Sequence, residues 1–183
     1  IKNASLVAVC DIREKRAKKI GEQFNLPYYI DMDEMMQKQS IDVVSVLTES
    51  GNHAKHVVNL AKYGKHLVVE KPLALTLDDA DLMIKTCNEN ACKLFIIKQN
   101  RFNLPVIKLR QAYEQGRFGK LVLGTVRVRW SRNQAYYDQD QWRGTWNLDG
   151  GVLTKQASQH IDMLEWMMGD VESVFAKANT SLV

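Results

Sequence analysis

The sequence predicts an α/β fold: a parallel sheet wound by helices on both faces over residues 1–100, then the start of an α+β unit over residues 101–183. Three observations carry this reading. Short β-branched runs recur without polar alternation, amphipathic helical segments separate them, and beyond about residue 120 the pattern changes to a longer alternating strand.

The first runs are Leu6 to Cys10, Val43 to Leu47 and Leu67 to Val69, with a fourth at Leu94 to Ile97. Strands that are apolar on both faces belong inside a parallel sheet covered by helices. Helical spacing joins Ala17, Ile20 and Phe24, then Ala54, Val57, Val58 and Ala61, then Ala80, Met83, Ile84 and Cys87. Thr76 and Asp79 are spaced as a capping box at the start of the third helix, and Gly64 can take the left-handed conformation that ends the second. Val122 to Trp130 alternates as a half-exposed strand does. A loop rich in Tyr, Trp, Gln and Asp follows, then a helix near residues 157–168, and Val171 to Ala176 predicts a further antiparallel strand.

Composition narrows the class. The apolar share of 45% and charged share of 25% are those of a globular protein. No apolar run approaches the roughly 18 residues that span a bilayer, so no membrane partner is expected and a cytoplasmic location is. The net charge of +4 is spread along the chain, and the cluster from Arg13 to Lys19 is interrupted by Glu14; a solvated helix face accounts for it, and nucleic acid is not an expected partner. A mildly basic cleft for an anionic small molecule fits better. Cys10, Cys87 and Cys92 show no metal-ligand spacing, so buried reduced thiols are expected, with no disulfide and no metal.

Two features point to chemistry. Asp11 ends the first strand before a helix, where a carboxylate can accept hydrogen bonds from an adenosine ribose, or can simply cap the helix. The usual partner is a G-x-G-x-x-G turn about twenty residues earlier, and the ten glycines here never form it; this reading places the turn before Ile1. The second feature is Glu70-Lys71-Pro72, which leaves a buried strand at the carboxyl edge of the sheet, where such folds bind ligands. Proline biases Lys71 toward an extended backbone and can hold its ammonium toward a cleft, although a Lys-Pro turn also serves as a plain strand terminator.

Glu70-Lys71-Pro72, at this distance after Asp11 and before Gly150-Gly151, resembles the Gfo/Idh/MocA oxidoreductase family over the whole chain. The runs Gln134-Ala135-Tyr136-Tyr137-Asp138-Gln139-Asp140, Trp142-Arg143-Gly144-Thr145-Trp146 and Lys98-Gln99-Asn100-Arg101-Phe102 are similar to a subgroup that oxidises C3 of UDP-linked N-acetylated uronic acids in surface-polysaccharide synthesis. The resemblance implies a partial Rossmann domain followed by the start of an open-faced sheet substrate domain. It also implies NAD as cofactor, a nucleotide-sugar substrate and a homo-oligomer in the full-length protein. Asp11, Ile12, Thr48, His53, Glu70 and Lys71 become the expected cofactor contacts. Lys71 becomes the group that takes the hydroxyl proton, or its close partner.

Arg101 and Arg143 are candidates for the substrate's anionic groups, since a guanidinium matches carboxylate or phosphate bidentately. Tyr136, Tyr137 and Trp146 can pack on sugar or uracil, or in a core. The sequence departs from the family pattern after Gly150-Gly151. Where the family carries Asp or Asn and then His four residues later, this chain has Lys155 and Gln159, with His160 beside them. Gln159 or His160 is therefore the expected second catalytic residue, depending on helix phase, and Lys155 is expected to lower the pKa of Lys71 if both face the cleft. The segment from Thr48 to Ala54 departs too: the subgroup has Pro at positions 49 and 54, while His53 matches. A non-catalytic relative that only binds a nucleotide or sugar is the alternative.

Overall fold

Five short strands pair in two parallel ladders. The structure, a computed structural model, describes residues 2–179. Strand β1 (Val9–Cys10) pairs with β2 (Tyr28–Tyr29), while β3 (Val43–Val46), β4 (His66–Val69) and β5 (Leu94–Ile96) form a second sheet in the order β3-β4-β5. Each parallel step is bridged by helix, as the crossover requires. Helix α1 (Glu14–Phe24) joins β1 to β2, α2 (Met32–Lys38) precedes β3, α3 (His53–Ala61) joins β3 to β4, and α4 (Leu77–Glu89) joins β4 to β5.

The β3-β4-β5 sheet holds the core. Leu67 and Val69 of β4 are fully buried, packed with Val57 and Ala61 of α3 and with Met83 and Cys87 of α4. Truncating Leu67 to Ala there would cost about 2–5 kcal/mol. The smaller sheet joins the same core through Tyr29. Expected caps are present: the Thr76 hydroxyl accepts from the Asp79 amide at 3.1 Å and donates to its carboxylate at 2.8 Å, and Gly64 has φ of +64°.

The two ladders correct the expected first strand. Leu6 to Ala8 lie outside β1, and Leu6 and Val7 are exposed, because among the described residues β1 has a partner on one side only. The same edge position leaves Cys10 exposed, whereas Cys87 and Cys92 are buried as expected. Strand β2 and helix α2 are additions: Asp31 caps α2 by accepting from the Glu34 amide at 2.8 Å, and Met35 and Met36 enter the core.

Beyond β5 the chain forms α5 (Leu104–Glu114), the short α6 (Gln134–Tyr137) and α7 (Ser158–Met168), the last preceded by a π-helical turn at Leu153–Ala157. Val122 to Trp130 and Val171 to Ala176 form no ladder among the described residues, since a strand needs a neighbour to take its amides and carbonyls. Gly124 lies against Leu164 and Met168 of α7, and Trp130 meets His160 edge to face at 5.3 Å, whereas Val122 is 86% exposed.

Candidate active site

The carboxyl ends of β3 and β4 open on one edge of the sheet, and the loops that leave them are tied together by one histidine. His53 is 1% exposed; its Nε2 lies 3.0 Å from the Thr48 carbonyl and its Nδ1 2.8 Å from the Pro72 carbonyl. Both ring nitrogens are thus engaged by main-chain carbonyls inside the protein. Thr48 is turned the same way, with its hydroxyl 2.9 Å from Nδ1 of His56.

Lys71 follows immediately. Its amide donates to the Glu70 carboxylate at 2.9 Å, and its Nζ donates to the main-chain carbonyl of Lys155 at 2.6 Å. That carbonyl lies within the π-helical turn, whose wider ring breaks the usual pattern of acceptors one turn apart. Burial, and then repulsion from the Lys155 ammonium, push the Lys71 pKa below the ordinary lysine value, against the opposing pull of Glu70.

Lys155 reaches back to the β3 exit: its Nζ donates to Ser50 Oγ at 3.2 Å, lies 4.0 Å from Asp149 and sits 4.8 Å from the Trp142 ring centre. Arg143 lies over the same ring at 4.8 Å and over Tyr136 at 4.7 Å. Its Nε is buried with no hydrogen-bond partner among the described residues; the nearest carboxylate, Asp140, is 3.9 Å away. Tyr136 is linked to Gln156 at 3.2 Å and meets Tyr137 edge to face. Trp146 is largely exposed.

A close approach fixes these loops on the first unit. The Gly51 amide donates to the Leu148 carbonyl at 3.1 Å, and a Cβ on Gly51 would stand 1.9 Å from the Asn147 carbonyl oxygen. Only glycine fits there.

Arg101 does not join this group. It makes a bidentate pair with Asp162, both bonds 2.8 Å, and its guanidinium stacks on Trp166, so its fork is already filled. Lys98 adds a third contact to Asp162 at 3.1 Å. Gln159 is buried; its amide nitrogen donates to Gln99, and its oxygen accepts weakly from the Asn100 amide at 3.4 Å. His160 faces Trp130 instead, with Nδ1 buried and unpartnered among the described residues.

Asp11 lies at the end of β1 and accepts from the Arg13 amide at 2.7 Å, a cap-like bond that engages Oδ1. Ile12 is 85% exposed. Sequence reasoning passed over Ser50, Asp149 and Asp162. An acid at position 162, set among Ile161, Met163 and Leu164 on an amphipathic helix, was a readable sign of a buried ion pair. Among the described residues no three acidic, His or Cys side chains are grouped to hold a metal ion, and no helix is long and apolar enough to cross a membrane.

Residues 1–98 match an oxidoreductase family described as an NAD-binding Rossmann fold, and residues 106–183 match the GFO/IDH/MocA C-terminal domain. The chain belongs to the Gfo/Idh/MocA oxidoreductase family. Among relatives of this family, it is 33% identical to a myo-inositol 2-dehydrogenase of Thermotoga maritima, over 96% of this chain and 51% of that protein. It is 32% identical to the D-glucoside 3-dehydrogenase of Escherichia coli over 67% of this chain and 35% of that one. Of solved structures, the WlbA dehydrogenase from Bordetella pertussis, crystallised with NADH and UDP-GlcNAcA, superposes with a TM-score of 0.86 at 37% identity, over 91% of this chain and 48% of WlbA. This Gfo/Idh/MocA chain spans about half the length of the myo-inositol 2-dehydrogenase and of WlbA, and matches 35% of the D-glucoside 3-dehydrogenase. Its first unit is an NAD-binding Rossmann fold.

Proposed function

We propose that the protein carrying this chain oxidises the C3 hydroxyl of a UDP-linked, N-acetylated uronic acid, with Lys71 taking the hydroxyl proton. The observation that carries this is the continuous set of contacts from Lys71 through Lys155 and Trp142 to Arg143. A half-buried amine and a guanidinium whose Nε has no hydrogen-bond partner among the described residues then stand at opposite ends of one aromatic-lined group. The amine suits a reacting hydroxyl, and the guanidinium suits a carboxylate or diphosphate. Tyr137, beside Tyr136, supplies a flat apolar surface for a sugar or uracil ring.

Asp11 fits the cofactor: Oδ1 is held by the Arg13 amide, and Oδ2 is left to accept from a ribose hydroxyl. When bound, NAD supplies the hydride acceptor. The chain's own residues do the rest. Neutral Lys71 accepts the proton on Nζ as the carbon–hydrogen bond breaks, and the resulting ammonium is received by the Lys155 carbonyl it already meets. Lys155 favours the neutral amine beforehand by repulsion.

The test is absorbance in the NADH band when the intact protein is mixed with NAD and UDP-GlcNAcA. A steady rise is expected, and a much slower one with the corresponding sugar lacking the carboxylate. A second reading, a non-catalytic binder, is favoured by Gln159, which has no titratable proton, at the place where a base is expected. Calorimetric binding of the nucleotide sugar with no change in the NADH band would select it.

A further inference from the structure

Asp140 reaches across from the loop after α6 to the cofactor-side helix α1. One oxygen accepts from Arg13 Nη1 at 3.3 Å and from Arg16 Nη2 at 2.9 Å, across 127 and 124 positions of sequence, and the other lies 3.9 Å from Arg143 Nε. The carboxylate is mostly buried, at 13% exposure, whereas both arginines are more than half exposed.

The position of these arginines gives the contact its meaning. Arg13 is two residues beyond Asp11, and its amide is bonded to the Asp11 carboxylate. In dinucleotide-binding folds a carboxylate about 20 residues beyond the glycine-rich turn meets the adenosine ribose, and a nearby arginine is what accommodates a 2′-phosphate. Arg13 and Arg16 are thus the cations such a phosphate would meet, and a carboxylate from the second unit already occupies them.

We propose that Asp140 is a specificity-determining residue for the cofactor: by holding Arg13 and Arg16 it denies them to a 2′-phosphate and sets the preference of this dehydrogenase for NAD over NADP. The inference rests on the NAD-binding family assignment and is independent of which sugar is oxidised. Asp11 excludes the phosphate by charge, and Asp140 removes the counter-charge that would rescue it. The effect is electrostatic and partly exposed, so it weakens as salt rises.

The test is binding of NAD and NADP to the intact protein by calorimetry at low salt, with no sugar present. Asp140→Asn should tighten NADP binding about tenfold and change NAD binding less than about twofold, since two arginines are freed for one phosphate. Adding Arg13→Ala and Arg16→Ala to that variant should abolish the gain. A parallel loss of both dinucleotides on Asp140→Asn would mean a purely structural latch and would overturn the proposal, as would unchanged NADP affinity. Should Asp140→Asn not fold, the exposed double variant Arg13→Ala with Arg16→Ala in otherwise unaltered protein decides the matter. Its NADP affinity should stay within about twofold, because the arginines are already committed, and a tenfold loss would show that they were free.

Discussion

The ammonium of Lys71 donates to the main-chain carbonyl of Lys155 across 2.6 Å, while the ammonium of Lys155 is turned away toward Ser50 and Asp149. One residue thus both receives the Lys71 proton donor and repels its charge. The Lys71 pKa is lowered by burial first and by Lys155 second, so the neutral amine that can act as base forms at lower pH than in a free lysine. Turnover should rise with pH along that lowered limb. Replacing Lys155 by Met removes the repulsion, leaves the carbonyl, and should move the limb to higher pH; a pH profile of kcat/KM that does not move would assign the shift to burial alone.

Lys71→Met should cut turnover by about 10² to 10⁴ while leaving NAD affinity nearly unchanged, because the loss falls on proton transfer and not on the nucleotide contacts. Steady-state rates measured beside NAD titrations check this. Near-normal turnover would return Lys71 to a structural role.

Gln159 cannot take a proton near neutral pH, and it lies at Gln99 and Asn100, on the side of α7 away from Trp130. Gln159→His should therefore add a titratable base at this buried position, its pKa held below the ordinary histidine value by burial, and carry the rising limb of activity toward neutrality. His160→Ala should change turnover little, since its ring faces Trp130. Activity lost in His160→Ala and untouched in Gln159→His would reverse the assignment.

Asp162 is 7% exposed and meets Arg101 and Lys98. Burial raises its pKa, but these two cations outweigh it and hold the carboxyl below the usual range. A depressed carboxylate stabilises the fold above its unfolded pKa of about 3.9, and that contribution is lost as pH falls through the folded value. Asp162→Asn should cost about 1–3 kcal/mol near neutral pH, with Arg101 a third exposed and partly screened, and should flatten the loss of stability below about pH 4. Urea melts across that range are the measurement.

How far this site was legible depends on the range of each interaction. Local rules were sufficient for the Thr76 cap, the Gly64 turn and the places of β3, β4 and β5, but not for their burial. Only the central β4 is covered on both sides, whereas β3 alternates with Val43 exposed and Phe95 of β5 is exposed, because these two are the margins of the sheet. The repulsion between Lys71 and Lys155 was anticipated only on the condition that both face one cleft, a placement that the family resemblance implied and local spacing did not. Arg101 could not be placed. Nothing at position 101 distinguishes an arginine awaiting an anion from one already paired with Asp162, which lies 61 residues on. His53 shows the same gap: its type and spacing fit a ligand contact, and only the fold reveals that two carbonyls enclose it. Gly51 was readable as a glycine but not as the point where the Asn147 backbone comes to rest.

The separation of β1-β2 from β3-β4-β5 has a consequence for handling the chain in solution. Both β1 and β3 leave one side of their backbone without a ladder among the described residues, and β3 begins with an exposed Val43 and is followed by an exposed Leu47. Such margins are templates: each offers a row of amides and carbonyls to any extended segment that arrives, including one from a neighbouring copy. Prepared by itself, this stretch should be sticky, associating more as its concentration rises and melting over a broad range. A synthetic β-branched peptide that completes the sheet should act as a chaperone for it, sharpening the melt and suppressing the association together.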